Sequence, residues 1–187
     1  MPLDITFTLS DQDLEHFQRV VDRAKSATKK GFDGDAIEQA AIKLIKKVTN
    51  SDLPDFIVDR INRLKVVTDM LSDSEWQLGS VDRERILSAM LYFCDPDDLI
   101  PDDVPGLGYL DDAIYIDLLM QQLHSEISSY EEFCQFRVAE EERRRSKGLD
   151  PLVHREDWLV EKRMEIQAEM KSRRHRLPSP TGWRLRW

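Results

Sequence analysis

Residues 92–112 read YFCDPDDLIPDDVPGLGYLDD and lie between the two most apolar runs of the chain. The stretch holds seven Asp, no Lys or Arg, three of the eight prolines and two of the seven glycines, a composition that marks a stiff acidic turn. Upstream, Ile86, Leu87, Ala89, Met90, Leu91, Tyr92, Phe93 and Cys94 are apolar or aromatic almost all round a helix, which is the pattern of a buried central helix. Pro96 ends it, because proline has no N–H to donate and pushes Asp95 out of the helical region. Pro101 and Pro105 stiffen the crossing while Gly106 and Gly108 permit positive φ, so the connection is expected to hold one conformation. Its apolar residues Leu99, Ile100, Val104 and Leu107 are expected to plug toward the core. Downstream, Leu110, Ala113, Ile114, Ile116, Leu118, Leu119, Leu123 and Ile127 mark a second apolar helix. Two buried helices joined by a rigid acidic turn form a hairpin.

The run Pro96-Asp97-Asp98-Leu99-Ile100-Pro101-Asp102, followed by Val104-Pro105-Gly106-Leu107-Gly108-Tyr109-Leu110-Asp111-Asp112, resembles the signature of the YkvA-like family, small helical domains of unknown function. The resemblance is strong from about Leu87 to Leu119 and looser from Ile5 to Arg137. It implies an all-helical fold and brings no activity with it. At Asp97 the chain carries an acid where many members carry an apolar residue, which argues against insertion of this face of the turn into a bilayer.

With 187 residues, 41% of them hydrophobic, the natural expectation is one core plus an appendage. The sequence has neither an apolar run of membrane-spanning length nor a signal-peptide pattern, so the expected location is cytoplasmic. Cys94 and Cys134 form no CxxC pair and read as reduced thiols buried among apolar neighbours. The net charge of −9 conceals an asymmetry: residues 1–136 carry 13 Lys/Arg against 27 Asp/Glu, residues 137–187 carry 14 against 9. An acidic body and a basic C-terminal region offer different surfaces to different partners.

Along the chain, Ile5, Phe7 and Leu9 alternate with polar residues, and without a second strand pattern to pair with they read as an arm over residues 1–9. Ser10 with Asp13 reads as a helix N-cap, and Leu14, Phe17, Val21 and Ala24 give one apolar face. Asp35 is expected to cap the next helix, with Ile37, Ala40, Ala41, Leu44, Ile45 and Val48 at packing positions and Lys43, Lys46 and Lys47 at its C-terminal end. Pro54 opens a third helix through Ile57, Ile61, Leu64 and Leu71. Residues 72–80 read as a polar connection containing Trp76 and Leu78, with Ser80 capping the central helix. Ser129 with Glu132 forms a capping-box pattern that predicts a fresh helix start at Tyr130. Glu140–Glu142 followed by Arg143–Arg145 support a solvated helix that ends at Gly148. Asp150-Pro151 predicts a last helix from Pro151 to about Arg174, whose stripe of Leu152, Leu159 and Ile166 is too narrow to build a core but wide enough to dock. The expected organisation is therefore an N-terminal arm (1–9), a YkvA-like helical bundle (10–137), a charged helical extension (138–176) and a disordered basic tail (177–187).

No nucleotide-binding glycine motif and no nucleophile elbow is present. His16, His124, His154 and His175 lie in unrelated settings that offer neither a zinc site nor a Ser-His-Asp arrangement. The signature turn, with Asp98, Pro101, Asp102, Pro105, Gly108, Asp111 and Asp112, is the one place where a site can lie. Its carboxylates Asp98, Asp102, Asp111 and Asp112 admit two readings: ligands for Mg²⁺ or Ca²⁺, as in a metal-dependent hydrolase, or helix caps and turn formers that accept backbone N–H groups. Asp117, an acid inside an apolar helix, needs an Arg or backbone partner unless it lies at the helix edge. In the tail, Trp183, Arg184, Arg186 and Trp187 combine charge with aromatic rings. Residues 171–187 thus suit a nucleic acid, an anionic membrane surface, a protein groove or the chain's own acidic body. The favoured function is a non-catalytic interaction or regulatory module whose acidic turn and C-terminal extension bind a protein partner.

Overall fold

A computed structural model describes residues 8–27, 33–94, 100, 104 and 108–176. Seven α-helices carry the described chain, and no strand occurs among these residues: α1 (Asp11–Ala27), α2 (Gly34–Thr49), α3 (Asp55–Ser72), α4 (Ser80–Ala89), α5 (Leu110–Gln122), α6 (His124–Ser146) and α7 (Arg155–Arg176), with a 3-10 helix at Met90–Cys94. The protein is thus an all-α bundle, as the apolar periodicities predict.

The apolar faces explain the packing. Ile37, Ala41 and Val48 of α2 meet Ile57, Ile61, Leu64, Val67 and Met70 of α3, and α3 in turn packs on Ala113, Ile116 and Leu119 of α5. Gly34 opens α2 where a Cβ would stand 2.8 Å from Leu87 Cδ1, so a side chain there would force the Leu87 side chain to shift. A second cluster joins α1 to the hairpin through Phe17, Val20, Val21, Tyr92, Tyr115 and Leu118, with Leu9 packed beside it. The Tyr92 and Tyr115 rings stack at 4.1 Å and 13°, and Phe17 leans on both. Such ring pairs add to the free energy of burial.

Helix ends deviate from the sequence reading for local reasons. Ser10 and Asp13 do form the expected box: Ser10 N–H donates to Asp13 Oδ2 at 2.8 Å and Asp13 N–H to Ser10 Oγ at 3.3 Å. Asp33, rather than Asp35, caps α2 by accepting from Ala36 N–H at 3.1 Å. The central helix tightens to 3-10 from Met90 instead of remaining α-helical to Cys94. Helix α6 starts at His124 rather than Tyr130, because Leu123 breaks the register for one residue and its carbonyl accepts the first bond of α6, from Ile127 N–H at 2.9 Å. Ser129, the expected cap, is fully buried inside the helix. The last helix begins at Arg155 rather than Pro151. The Asp150 side chain takes Leu152 N–H at 2.8 Å, and His154 stands at φ 55°, so residues 151–154 are a turn. Cys94 is exposed at the end of the 3-10 helix, contrary to its reading as a buried thiol; Cys134 is half-buried, and both are free.

Candidate functional site

The signature joint is built from the C-terminal end of the central helix and the start of α5. Tyr109 precedes α5 in the left-handed region, at φ 69° and ψ 11°, and is buried under the Lys47 ammonium, 5.1 Å from its ring centre. The preceding Gly108 is buried and donates its N–H to Val104 O at 2.9 Å. A non-glycine residue in this conformation costs about 1–2 kcal/mol, which the burial and the cation above the ring offset.

Asp111 is the carboxylate at the heart of the joint. It is 2% exposed, and its Oδ2 accepts from Tyr92 OH and from Ile100 N–H, each at 3.3 Å. A signature aspartate therefore ties together the central helix, the turn and α5. Asp112 beside it is buried as well. One helical turn on, Tyr115 OH donates to the carbonyl of Ala89, the last residue of α4, and so satisfies a carbonyl at that helix end. Complete burial pushes the Tyr115 phenol far above its ordinary value, so it remains a donor throughout the accessible pH range. Ile100 and Val104 are half-buried. Asp98, Pro101, Asp102 and Pro105, together with Leu99, Gly106 and Leu107, lie outside the described residues, as does the tail with Trp183, Arg184, Arg186 and Trp187. Among the described residues, no group of three or more His, Cys, Asp or Glu is placed to hold a metal ion.

Asp117 lies at the edge of α5 and has two arginine partners from α3. Arg60 Nε stands 2.9 Å from Oδ2 and Arg63 Nη1 2.7 Å from Oδ1. Its side chain is 34% exposed, so it is neither a buried acid nor a free one. Beside this clamp, a groove of about 340 Å³ opens between α3, α5 and α6, with Val66, Met120 and Ile127 on its floor and Asn62, His124 and Glu131 among its polar rim.

The connection after α3 is tied to both α6 and α7. Asp73 closes the connection after α3 by accepting from Glu75 N–H at 2.8 Å and Trp76 N–H at 3.2 Å, which turns Trp76 inward. Trp76 is fully buried against Tyr130 and Phe133 of α6, at ring distances of 5.8 and 5.2 Å. Helix α7 then closes over this loop. Arg163 Nη1 donates to Glu75 O at 2.9 Å, and Gln167 Nε2 to Trp76 O at 2.7 Å. Arg137 of α6 binds both Asp73 and Glu75, at 2.9 and 2.8 Å, while Arg155 of α7 pairs with Glu75. Leu159, Ile166 and Met170 are buried in the main core.

These contacts set the titration of the loop. Burial would raise the Asp73 carboxyl, but the two backbone N–H groups and Arg137 outweigh it and hold the carboxyl below its ordinary value. Glu75 is held low chiefly by Arg155, with Arg137 assisting. Further along α7, Arg174 reaches Asp82 of α4 at 2.9 Å and Glu126 of α6 at 2.8 Å, and Arg85 also pairs with Glu126. Glu126 is 1% exposed, so the two guanidinium groups compensate a charge that is otherwise costly to bury.

The match to a known family model falls on the joint. The family model described as "Protein of unknown function (DUF1232)" matches residues 85–116, from Arg85 through the turn to Ile116. A protein of Bacillus subtilis (strain 168), described as "Uncharacterized membrane protein YkvA", is 34% identical over 89 residues, covering 41% of this chain and 82% of the relative. No solved structure gives a significant match. The relative's description overturns the cytoplasmic location expected from the sequence. That expectation rested on the missing apolar run, and a bilayer surface can hold a protein that does not cross it. Among the described residues no helix is long and apolar enough to cross a membrane. With the signature joint, the matching family model and most of a relative's length in agreement, this chain belongs to the YkvA-like family of proteins of unknown function.

Proposed function

We propose that the chain is a non-catalytic helical interaction module that works at a membrane surface. The observation that carries the first half is the engagement of Asp111: Oδ2 of this buried signature carboxylate accepts from the Tyr92 hydroxyl and the Ile100 N–H, which favours a role in the joint over one toward a substrate. Support for the second half comes from the relative, described as a membrane protein, beside a set of described helices none of which is long and apolar enough to cross. Leu159, Ile166 and Met170 of α7 are buried in the chain's own core, so a protein partner would meet the outer, charged face of α7.

Fractionation of cells expressing the full chain tests this. The chain is expected in the membrane pellet and is expected to leave it in alkaline carbonate, as a peripheral protein does. A chain that stays in the soluble fraction contradicts the membrane half, and one that resists carbonate contradicts the surface mode of attachment.

A further inference from the structure

The connection between α6 and α7 is a rigid apolar tip on a basic collar. Helix α6 ends with Gly148 at φ 71°, Gly148 N–H donating to Arg145 O and Leu149 N–H to Arg144 O, each at 3.0 Å. In this kind of helix end the residue after the glycine usually folds back on an apolar residue of the last turn. Here that place is taken by Arg144, and Leu149 remains 53% exposed. The Asp150 turn and the left-handed His154 then hold Leu152 and Val153 outward, at 69% and 53% exposed. Three of the seven large hydrophobic residues exposed on the described surface thus sit within five positions.

Basic residues flank the tip, with acids beyond them at Glu140–Glu142 on α6 and at Glu156 and Asp157 on α7. Between residues 143 and 155 there are five Arg or Lys and one acid, in a chain of net charge −9. Arg143 and Arg145 are more than half exposed, and their acidic partners Glu140 and Glu141 lie a turn back along α6, behind the tip. A convex apolar point ringed by cations suits a deformable anionic interface, where leucines enter the acyl boundary and cations meet phosphates.

We propose that the 147–154 tip is the element that docks this protein on an anionic phospholipid bilayer, with Leu149, Leu152 and Val153 inserted and Arg143, Arg145 and Lys147 at the headgroups. The proposal rests on the membrane-surface reading and names the partner as lipid. The clamp on α7 gives the tip its rigidity, since Arg155, at the foot of the turn, is fixed by Glu75 and by Glu141 at 2.7 Å.

Purified full-length protein is sedimented with vesicles of phosphatidylcholine alone and of phosphatidylcholine mixed with phosphatidylglycerol. Binding is expected to the mixed vesicles only, to weaken with salt, and to fall about tenfold or more for each of Leu149→Glu and Leu152→Glu. Both positions are exposed, so the melting temperature should be unchanged. Trp183→Ala with Trp187→Ala should leave binding within about twofold. In a Leu152→Trp variant, indole emission should shift to the blue with mixed vesicles. Equal binding by Leu152→Glu and wild type, or loss with the tail variant alone, overturns the tip. Attachment to native membranes without binding to vesicles also overturns it, and leaves the membrane-surface reading standing with a membrane protein as partner.

Discussion

The signature joint and the clamp beneath α7 both bury carboxylates, but they hold them in different ways. Asp111 is held by neutral donors close in sequence: Tyr92 is 19 positions away and Ile100 is 11. Glu75 and Glu126 are held by arginines and Asp73 by two backbone N–H groups together with Arg137, and the α7 partners of Glu75 and Trp76 come from 80 to 91 positions away. The joint is a local device that fixes how two helices cross. The clamp is a long-range device that recruits a helix outside the segment matched by the family model. The family signature thus covers the joint, while α7 is held by contacts outside it.

Breaking the clamp at its apolar centre should have the largest effect. Trp76→Ala removes a fully buried indole and is expected to cost about 3–5 kcal/mol in chemical denaturation, with α7 becoming sensitive to protease before the rest of the chain. Breaking the joint should cost less and act elsewhere. Asp111→Ala leaves the Tyr92 hydroxyl and Ile100 N–H without their acceptor, for about 2 kcal/mol, and should loosen the packing of α1 on the hairpin while protection of α7 is retained.

Sensitivity to acid sharpens the contrast. The folded carboxyls of Asp73 and Glu75 titrate below their ordinary values of 3.8 and 4.5. Their contribution is therefore complete above about pH 5 and is lost as the pH falls through the ordinary values toward the folded ones. Helix α7 is expected to lose protection first on acidification, and Glu75→Gln should flatten that dependence. A double-mutant cycle between Glu75→Gln and Arg155→Gln should give a coupling of about 1 kcal/mol. The smallest effect is expected at a cap remote from both regions: Asp33→Ala should lower stability by up to about 1 kcal/mol and leave both joint and clamp intact.

The same contrast explains what was legible in the sequence. Helical periodicity over Ile37–Val48, Ile57–Leu71 and Leu110–Leu119 located the packing faces because it depends on spacing within one element. The signature located the joint because its motif is contiguous. Trp76 was hidden, since a tryptophan in a polar connection declares its burial only once α6 supplies Tyr130 and Phe133 and α7 covers the loop. The Asp73-x-Glu75-Trp76 spacing was the available signal, for an aspartate three positions before an aromatic can turn it inward. The positive φ of Tyr109 was not legible, because there tertiary burial outweighs a local steric cost. The capping pattern at Ser129 misled because the same residue types serve inside a helix when the break falls six residues earlier, at Leu123. Cys94 was placed in the core by its apolar neighbours, yet the tightening at Met90 turns the end of that run to the surface.

Hydrogen exchange on the intact protein tests the central claim, that α7 is part of the folded body and holds its hairpin with α6 rigid. The account predicts that amides of residues 159–170 exchange as slowly as those of α3 and α6, and that they lose this protection in Trp76→Ala. Exchange of 159–170 within seconds in the wild-type chain, with α3 and α6 still protected, would contradict it.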